Sequence, residues 1–150
     1  MLGLEKYHCV CLDSAPFIYF IDEDPRYISK VEKIFSEIAN GNVLGVSSYL
    51  SLLEVLVKPM KEGAKNIALQ YKNFMLSSSF LRLYPLDDQV AETAAELRAR
   101  YYGNGLKIKT PDAIQIATGL LNGAEIFITN DKSLKNVKEI KVAVLDEILS

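Results

Sequence analysis

The chain has 150 residues, 49% of them hydrophobic and 24% charged, with a formal net charge of −2. Such a length and balance fit one globular domain, residues 1–150, able to bury a sizeable core. No apolar run approaches the ~20 residues that cross a bilayer, and the opening Met1-Leu2-Gly3-Leu4-Glu5-Lys6 lacks the basic-then-apolar layout of a secretion signal, so a cytoplasmic protein without membrane association is expected.

The first apolar run, 7–12, reads as a strand ending on Asp13. Cys9 and Cys11 fall on one face of it and His8 on the other, so the cysteines are expected as buried thiols rather than a disulfide or metal site. Asp13 leads directly into a helix with Pro16 near its start. A second helix is expected over 26–40, where Ile28, Val31, Ile34, Phe35 and Ile38 recur at helical spacing before the stop Asn40-Gly41. Strand 43–46 follows. Ser47-Ser48 then caps a third helix, which carries Glu54 and is expected to end before Pro59. Helix 61–76, strand 80–84 and helix 88–102 come next, the last capped by Asp87 and Asp88 and stopped by Gly103-Asn104-Gly105. The sixth helix has Thr110 as cap, Pro111 at its first position and Asn122-Gly123 as its close. Strands 125–128 and 142–145 complete the chain. Short apolar runs alternating with amphipathic ones predict an α/β fold whose mostly parallel sheet is covered on both faces.

Four acids stand at informative places. Asp13 and Asp131 each follow an apolar strand, Asp112 opens a helix, and Glu54 is the only charge between Tyr49 and Val57. In an open parallel sheet, strand ends and helix starts gather on the edge where such folds bind ligands. Singly, Asp112 also reads as a partner of the helix dipole and Asp131 as a turn residue. Glu54 sits on a helix that is apolar nearly all round and therefore expected to be buried, with Lys58 its nearest ion-pair candidate. Jointly, four carboxylates on one edge repel unless a cation joins them. Magnesium prefers such hard oxygen ligands, and paired ions of this kind activate water toward phosphodiesters. No phosphate-cradling glycine loop and no Ser/His/Asp set competes.

At these residues the chain resembles a PIN domain, and more narrowly the VapC-type ribonuclease toxins of toxin–antitoxin pairs. The resemblance rests on Leu12-Asp13-Ser14, Leu53-Glu54-Val55-Leu56, Pro111-Asp112-Ala113 followed by Ile116-Ala117, and Thr129-Asn130-Asp131. It implies a three-layer α/β/α fold around about five short strands, and a Mg²⁺- or Mn²⁺-dependent endoribonuclease. It also implies a homodimer held by its helices and an antitoxin protein as partner. Asp13, Glu54, Asp112 and Asp131 match the family's catalytic and metal-binding acids, with Ser14, Thr129 and Asn130 as accessory groups. Ala15 departs from the hydroxyl or amide that many relatives carry two residues after the first aspartate.

An RNA substrate calls for cations near the acids. With four of the 19 acids set around a metal, the 17 bases outnumber the remainder, which leaves room for a basic patch. Lys107, Lys109 and Lys132 are the phosphate candidates by position, with Lys135 and a helical stripe of Lys61, Lys65 and Lys72 behind them. Arg98 and Arg100 are further cations, and Tyr101 and Tyr102 are candidate stacking surfaces or dimer contacts. Other readings exist. A haloacid-dehalogenase-like phosphatase needs a second aspartate where this chain has Ala15, and a phosphate receiver needs an acidic pair after its first strand. A housekeeping RNA-processing PIN nuclease would carry the same acids as a toxin, whereas a non-catalytic interaction module would be expected to lose one.

Overall fold

The strands Cys9–Leu12 (β1), Leu44–Ser48 (β2), Leu81–Tyr84 (β3), Ile126–Thr129 (β4) and Lys141–Val144 (β5) form one wholly parallel sheet in the order β3-β2-β1-β4-β5. This computed structural model describes residues 3–148. The chain winds outward from β1 to β3, then crosses back to place β4 on the other side of β1, opposite Leu12 and Ile128 in register. Beyond the carboxyl ends of β1 and β4 lies the switch point where open α/β sheets form their crevice.

Side-chain alternation assigns the layers. Val10, Leu12, Ile126 and Ile128 point to one face, which is covered by Ser14–Ile21 (α1), Ile28–Ala39 (α2), Tyr49–Lys61 (α3) and Lys65–Leu76 (α4). Four phenylalanines, Phe17, Phe20, Phe35 and Phe74, knit that layer with ring centroids 4.9 to 5.6 Å apart. Cys9, Cys11, Val46 and Phe127 face the other way, under Asp88–Tyr101 (α5) and Thr110–Leu121 (α6). Both thiols are free and buried, as their alternation predicts, and burial pushes Cys11 well above the ordinary thiol range. Helix α6 lies unusually close to β1. A Cβ on Gly119 would come within 2.8 Å of the Cys11 Cβ, so only glycine lets the helix seat there.

Several boundaries differ from expectation for local reasons. Helix α2 starts at Ile28 rather than residue 26, because Asp24 accepts hydrogen bonds from the Arg26 backbone and guanidinium and holds a turn. Helix α3 runs through Pro59 to Lys61. In the last turn proline forfeits a single hydrogen bond, and its ring is buried in compensation. The helix stops at Gly63, φ 70°, where Gly63 N–H donates to Met60 O and Ala64 N–H to Pro59 O. That pair of bonds is a Schellman closure, and it delays α4 to Lys65. Lys109 rather than Thr110 occupies the N-cap of α6, the Thr110 hydroxyl being taken by Arg98. Asp87 caps α5 through Val90 N–H, and Asp88 follows in its first turn. No helix of the described residues is long and apolar enough to cross a membrane.

Candidate active site

Each acid is delivered to the switch point by a different connection. Asp13 leaves β1 and caps α1: Ser14 N–H donates to its Oδ1 at 2.8 Å. Asp131 follows β4 and opens the 3-10 turn Lys132–Asn136, accepting from the Ser133 N–H and hydroxyl. Thr129 ties the two together. Asp131 N–H donates to its Oγ1 at 3.1 Å, which leaves that hydroxyl to donate to Asp13 Oδ2 at 2.7 Å. Asp112 lies in the first turn of α6, and Glu54 in the second turn of α3.

Glu54 is not buried. It stands on an exposed outer face of α3 with Leu53 and Val57, while Leu52, Val55 and Pro59 turn inward. The expectation of burial took an apolar outer face for a core face. Lys58 is 3.8 Å from Asp22, so it does not serve Glu54. Among the described residues, neither the Glu54 nor the Asp112 carboxylate receives a hydrogen bond or an ion-pair partner.

The four charges act on one another. Burial raises Asp13 above its ordinary value; the Thr129 and Ser14 bonds oppose this, and the Glu54 and Asp131 charges add to it. Asp112 is pushed up to about 6, first by burial and then by the charges of Asp13 and Asp131, with Lys109 pulling the other way and Glu54 adding a smaller upward push. Among the described residues no three His, Cys, Asp or Glu side chains are gathered tightly enough to close around an ion by themselves. The donor set is nevertheless all carboxylate oxygen, which suits a hard cation that retains several waters.

The accessory residues divide. Ser14 meets Asp13 through its backbone N–H, and Thr129 through its hydroxyl. Asn130 turns away: its Nδ2 donates to the Tyr19 and Tyr27 hydroxyls and its Oδ1 accepts from Asp146 N–H. It fastens the C-terminal end of the chain to α1 and α2.

The sequence model of the PIN domain matches residues 10–140. The chain belongs to the PIN domain family. No curated protein sequence matches it, and its likeness to solved structures lies in the fold. A chain of VapBC2 from Rickettsia felis, bound to a promoter DNA fragment, superposes with a TM-score of 0.72 at 18% identity, over 91% of this chain and 98% of that one. DNA-bound VapBC from Salmonella typhimurium gives 0.70 at 18% identity, over 93% and 98%. VapC20 of Mycobacterium tuberculosis, a Sarcin-Ricin loop cleaving toxin, gives 0.65 at 13% identity, over 88% and 98%.

Beneath the acids of this PIN domain lies a buried polar network that sequence reading missed. Gln115 sits one turn beyond Asp112, and Ser51 one turn before Glu54. Gln115 Nε2 donates to Ser51 Oγ at 2.7 Å, and its Oε1 accepts from Ser48 N–H at 3.2 Å. Ser47 Oγ lies 2.6 Å from Leu12 O and 2.8 Å from Ser51 Oγ. The network thus locks α3, α6 and the strand end before Asp13 to one another. The available signal was the polar Gln115 inside the run Ile114-Gln115-Ile116-Ala117. Gln115→Leu strands the Ser48 N–H and takes one of two partners from the Ser51 hydroxyl, which keeps Ser47 Oγ, at about 1–3 kcal/mol for the buried group left unpaired. Its melting temperature is expected to fall by roughly 5–10 °C. A thermal melt within 1–2 °C of the parent (about the effect of half a kcal/mol) would mean the network contributes nothing.

The candidate cations also separate. Lys109 is near enough for its charge to act on Asp112, and Lys132 acts on Asp146. Lys135 pairs with Glu147 at 2.8 Å. Lys107 and Arg98 line a cavity at the end of α5.

Proposed function

We propose that this PIN domain is a metal-dependent endoribonuclease that hydrolyses RNA phosphodiester bonds, and that it acts as the toxin of a type II toxin–antitoxin pair. The carrying observation is the set of four carboxylates whose charges act on one another beside the switch point, two of them with neither a side-chain hydrogen bond nor an ion pair among the described residues. Asp13, Glu54, Asp112 and Asp131 would hold Mg²⁺ or Mn²⁺, which supplies Lewis acidity toward a phosphodiester and its attacking water. The Thr129 hydroxyl fixes the Asp13 carboxylate, and the buried Gln115–Ser51 bond holds the helices that carry Asp112 and Glu54. Lys109 tempers the repulsion at Asp112 and would meet a substrate phosphate.

The toxin role rests on the fold shared with VapBC and VapC20 chains, and on an apolar surface that asks for a partner. Leu53, Val57 and Met60 on α3 and Leu69 on α4 are exposed, with Lys65 and Lys72 beside the groove between the helices. Exposed apolar side chains on two neighbouring helices suit a protein contact, here an antitoxin or the second copy of a homodimer in the cytoplasm.

Purified protein incubated with defined single-stranded RNAs should cleave them in Mg²⁺ or Mn²⁺, stop on addition of EDTA, and resume when the metal is restored. Cleavage that persists in chelator rules out the metal-dependent mechanism. Growth arrest on expression, relieved by the product of the adjacent reading frame, separates a toxin from a housekeeping RNA-processing enzyme.

A further inference from the structure

Two cavities flank the loop between α5 and α6, and their side chains are in opposite states. In one, Arg100 pairs with Glu139, and the Tyr101 hydroxyl donates to Glu139 at 2.5 Å while accepting from Lys138 N–H at 2.9 Å. Its arginine and its aromatic hydroxyl are already partnered, and an acid, Glu139, lines it beside Lys138. The other has a volume of about 580 Å³ and is lined by Arg98, Tyr102 and Lys107 over a floor that includes Gly103, Gly105 and Leu106. No acid lines it. Tyr102 is 88% exposed. Arg98 is held in place, its Nε donating to Ile108 O at 3.0 Å and its Nη1 to Thr110 Oγ1 at 2.8 Å. Among the described residues neither Arg98 nor Lys107 has a carboxylate partner.

We propose that this second cavity is a subsite for a nucleotide of single-stranded RNA next to the scissile phosphate, with Tyr102 stacking on the base while Lys107 and Arg98 meet the backbone. The inference rests on the ribonuclease reading above and adds to it where the substrate lies. Three features favour RNA as the occupant. An unpartnered aromatic face beside unneutralised cations is the combination that binds single strands, because every base presents a π-face and every phosphate a charge. The cavity is tied to the segment that carries Asp112: Arg98 grips Thr110, and the backbone from Thr110 to Asp112 spans at most about 7 Å. Unpaired RNA is also the form whose bases are free to stack on a side chain.

Fluorescence anisotropy with a labelled single-stranded RNA, in EDTA so that no cleavage occurs, tests the assignment. Tyr102→Ala is expected to weaken binding by about tenfold or more and Tyr102→Phe to bind like the parent. Lys107→Ala should reduce the slope of log affinity against log salt by about 0.7. With Mg²⁺ present, Tyr102→Ala should raise KM and leave kcat unchanged. Thermal melts of all three variants check that they fold. Parent-like affinity in Tyr102→Ala together with an unchanged salt slope in Lys107→Ala overturns the subsite. So does a Tyr102→Ala variant whose oligomeric mass changes while its RNA affinity does not, since the ring is then a protein contact. A parent that neither binds nor cleaves RNA removes the nuclease reading itself, a result distinct from either of these.

Discussion

Asp13→Asn is expected to lower Mg²⁺-supported RNA cleavage by about a hundredfold or more while the protein still folds. Asp13 is the acid most deeply set in the site, at the junction of β1 and α1 and bonded to both Ser14 and Thr129. Asparagine keeps the shape and one acceptor, so the cap of α1 survives. What it removes is the negative oxygen nearest the sheet. Groups that merely orient metal ligands cost 10–100-fold when removed, and a direct carboxylate ligand should cost at least as much. Single-turnover cleavage beside a circular dichroism melt reads both quantities. If Asp13→Asn cleaves at the parent rate, the metal is held elsewhere, and Asp13 serves only as a helix cap.

The sheet and its edge were legible because local signals and topology agree. Leu12-Asp13, with apolar residues before it and a helix directly after, leaves little choice of layer or direction, and the same is true of Thr129-Asn130-Asp131. The carboxyl ends of β1 and β4 therefore emerge at the switch point whichever helix boundaries are chosen. Glu54 was misjudged for a reason periodicity cannot address. Leu53 and Val57 are apolar but exposed, and an apolar residue facing a future partner reads the same as one facing a core. Gln115 was overlooked because its partners Ser48 and Ser51 lie more than sixty positions away in sequence. Asn130 matched the motif by position, yet its side chain is committed to Tyr19, Tyr27 and Asp146, contacts that exist only once α1, α2 and the C-terminal segment have docked. Tyr101 and Tyr102 are adjacent and chemically identical; Glu139, 37 or more positions on, is what distinguishes them.

Asp112→Asn is expected to lose cleavage, to melt no lower than the metal-free parent, and to gain far less than the parent from added Mg²⁺. The sign follows from the folded-state pKa. An aspartate titrates near 3.9 in an unfolded chain, whereas Asp112 is raised to about 6 by burial and by the neighbouring Asp13 and Asp131 charges. The folded state then holds the proton more tightly than the unfolded one. The associated stability is fully present below about pH 4 and is lost as pH rises through about 6. Asparagine does not titrate, so the melting temperature of the variant minus that of the parent should climb across this window and level off above it. Metal reverses the comparison. A cation that binds only the native site stabilises by mass action, and it does so most where Asp112 is ionised. A helix-dipole role makes the opposite forecast, because a carboxylate stabilised by the start of α6 would have its pKa lowered and its loss would cost stability at neutral pH. Differential scanning fluorimetry between pH 4 and 8, with EDTA and then with increasing Mg²⁺, separates the two. If Asp112→Asn melts well below the parent at pH 7 in EDTA and keeps the parent's full response to Mg²⁺, Asp112 stabilises the helix and lies outside the metal site.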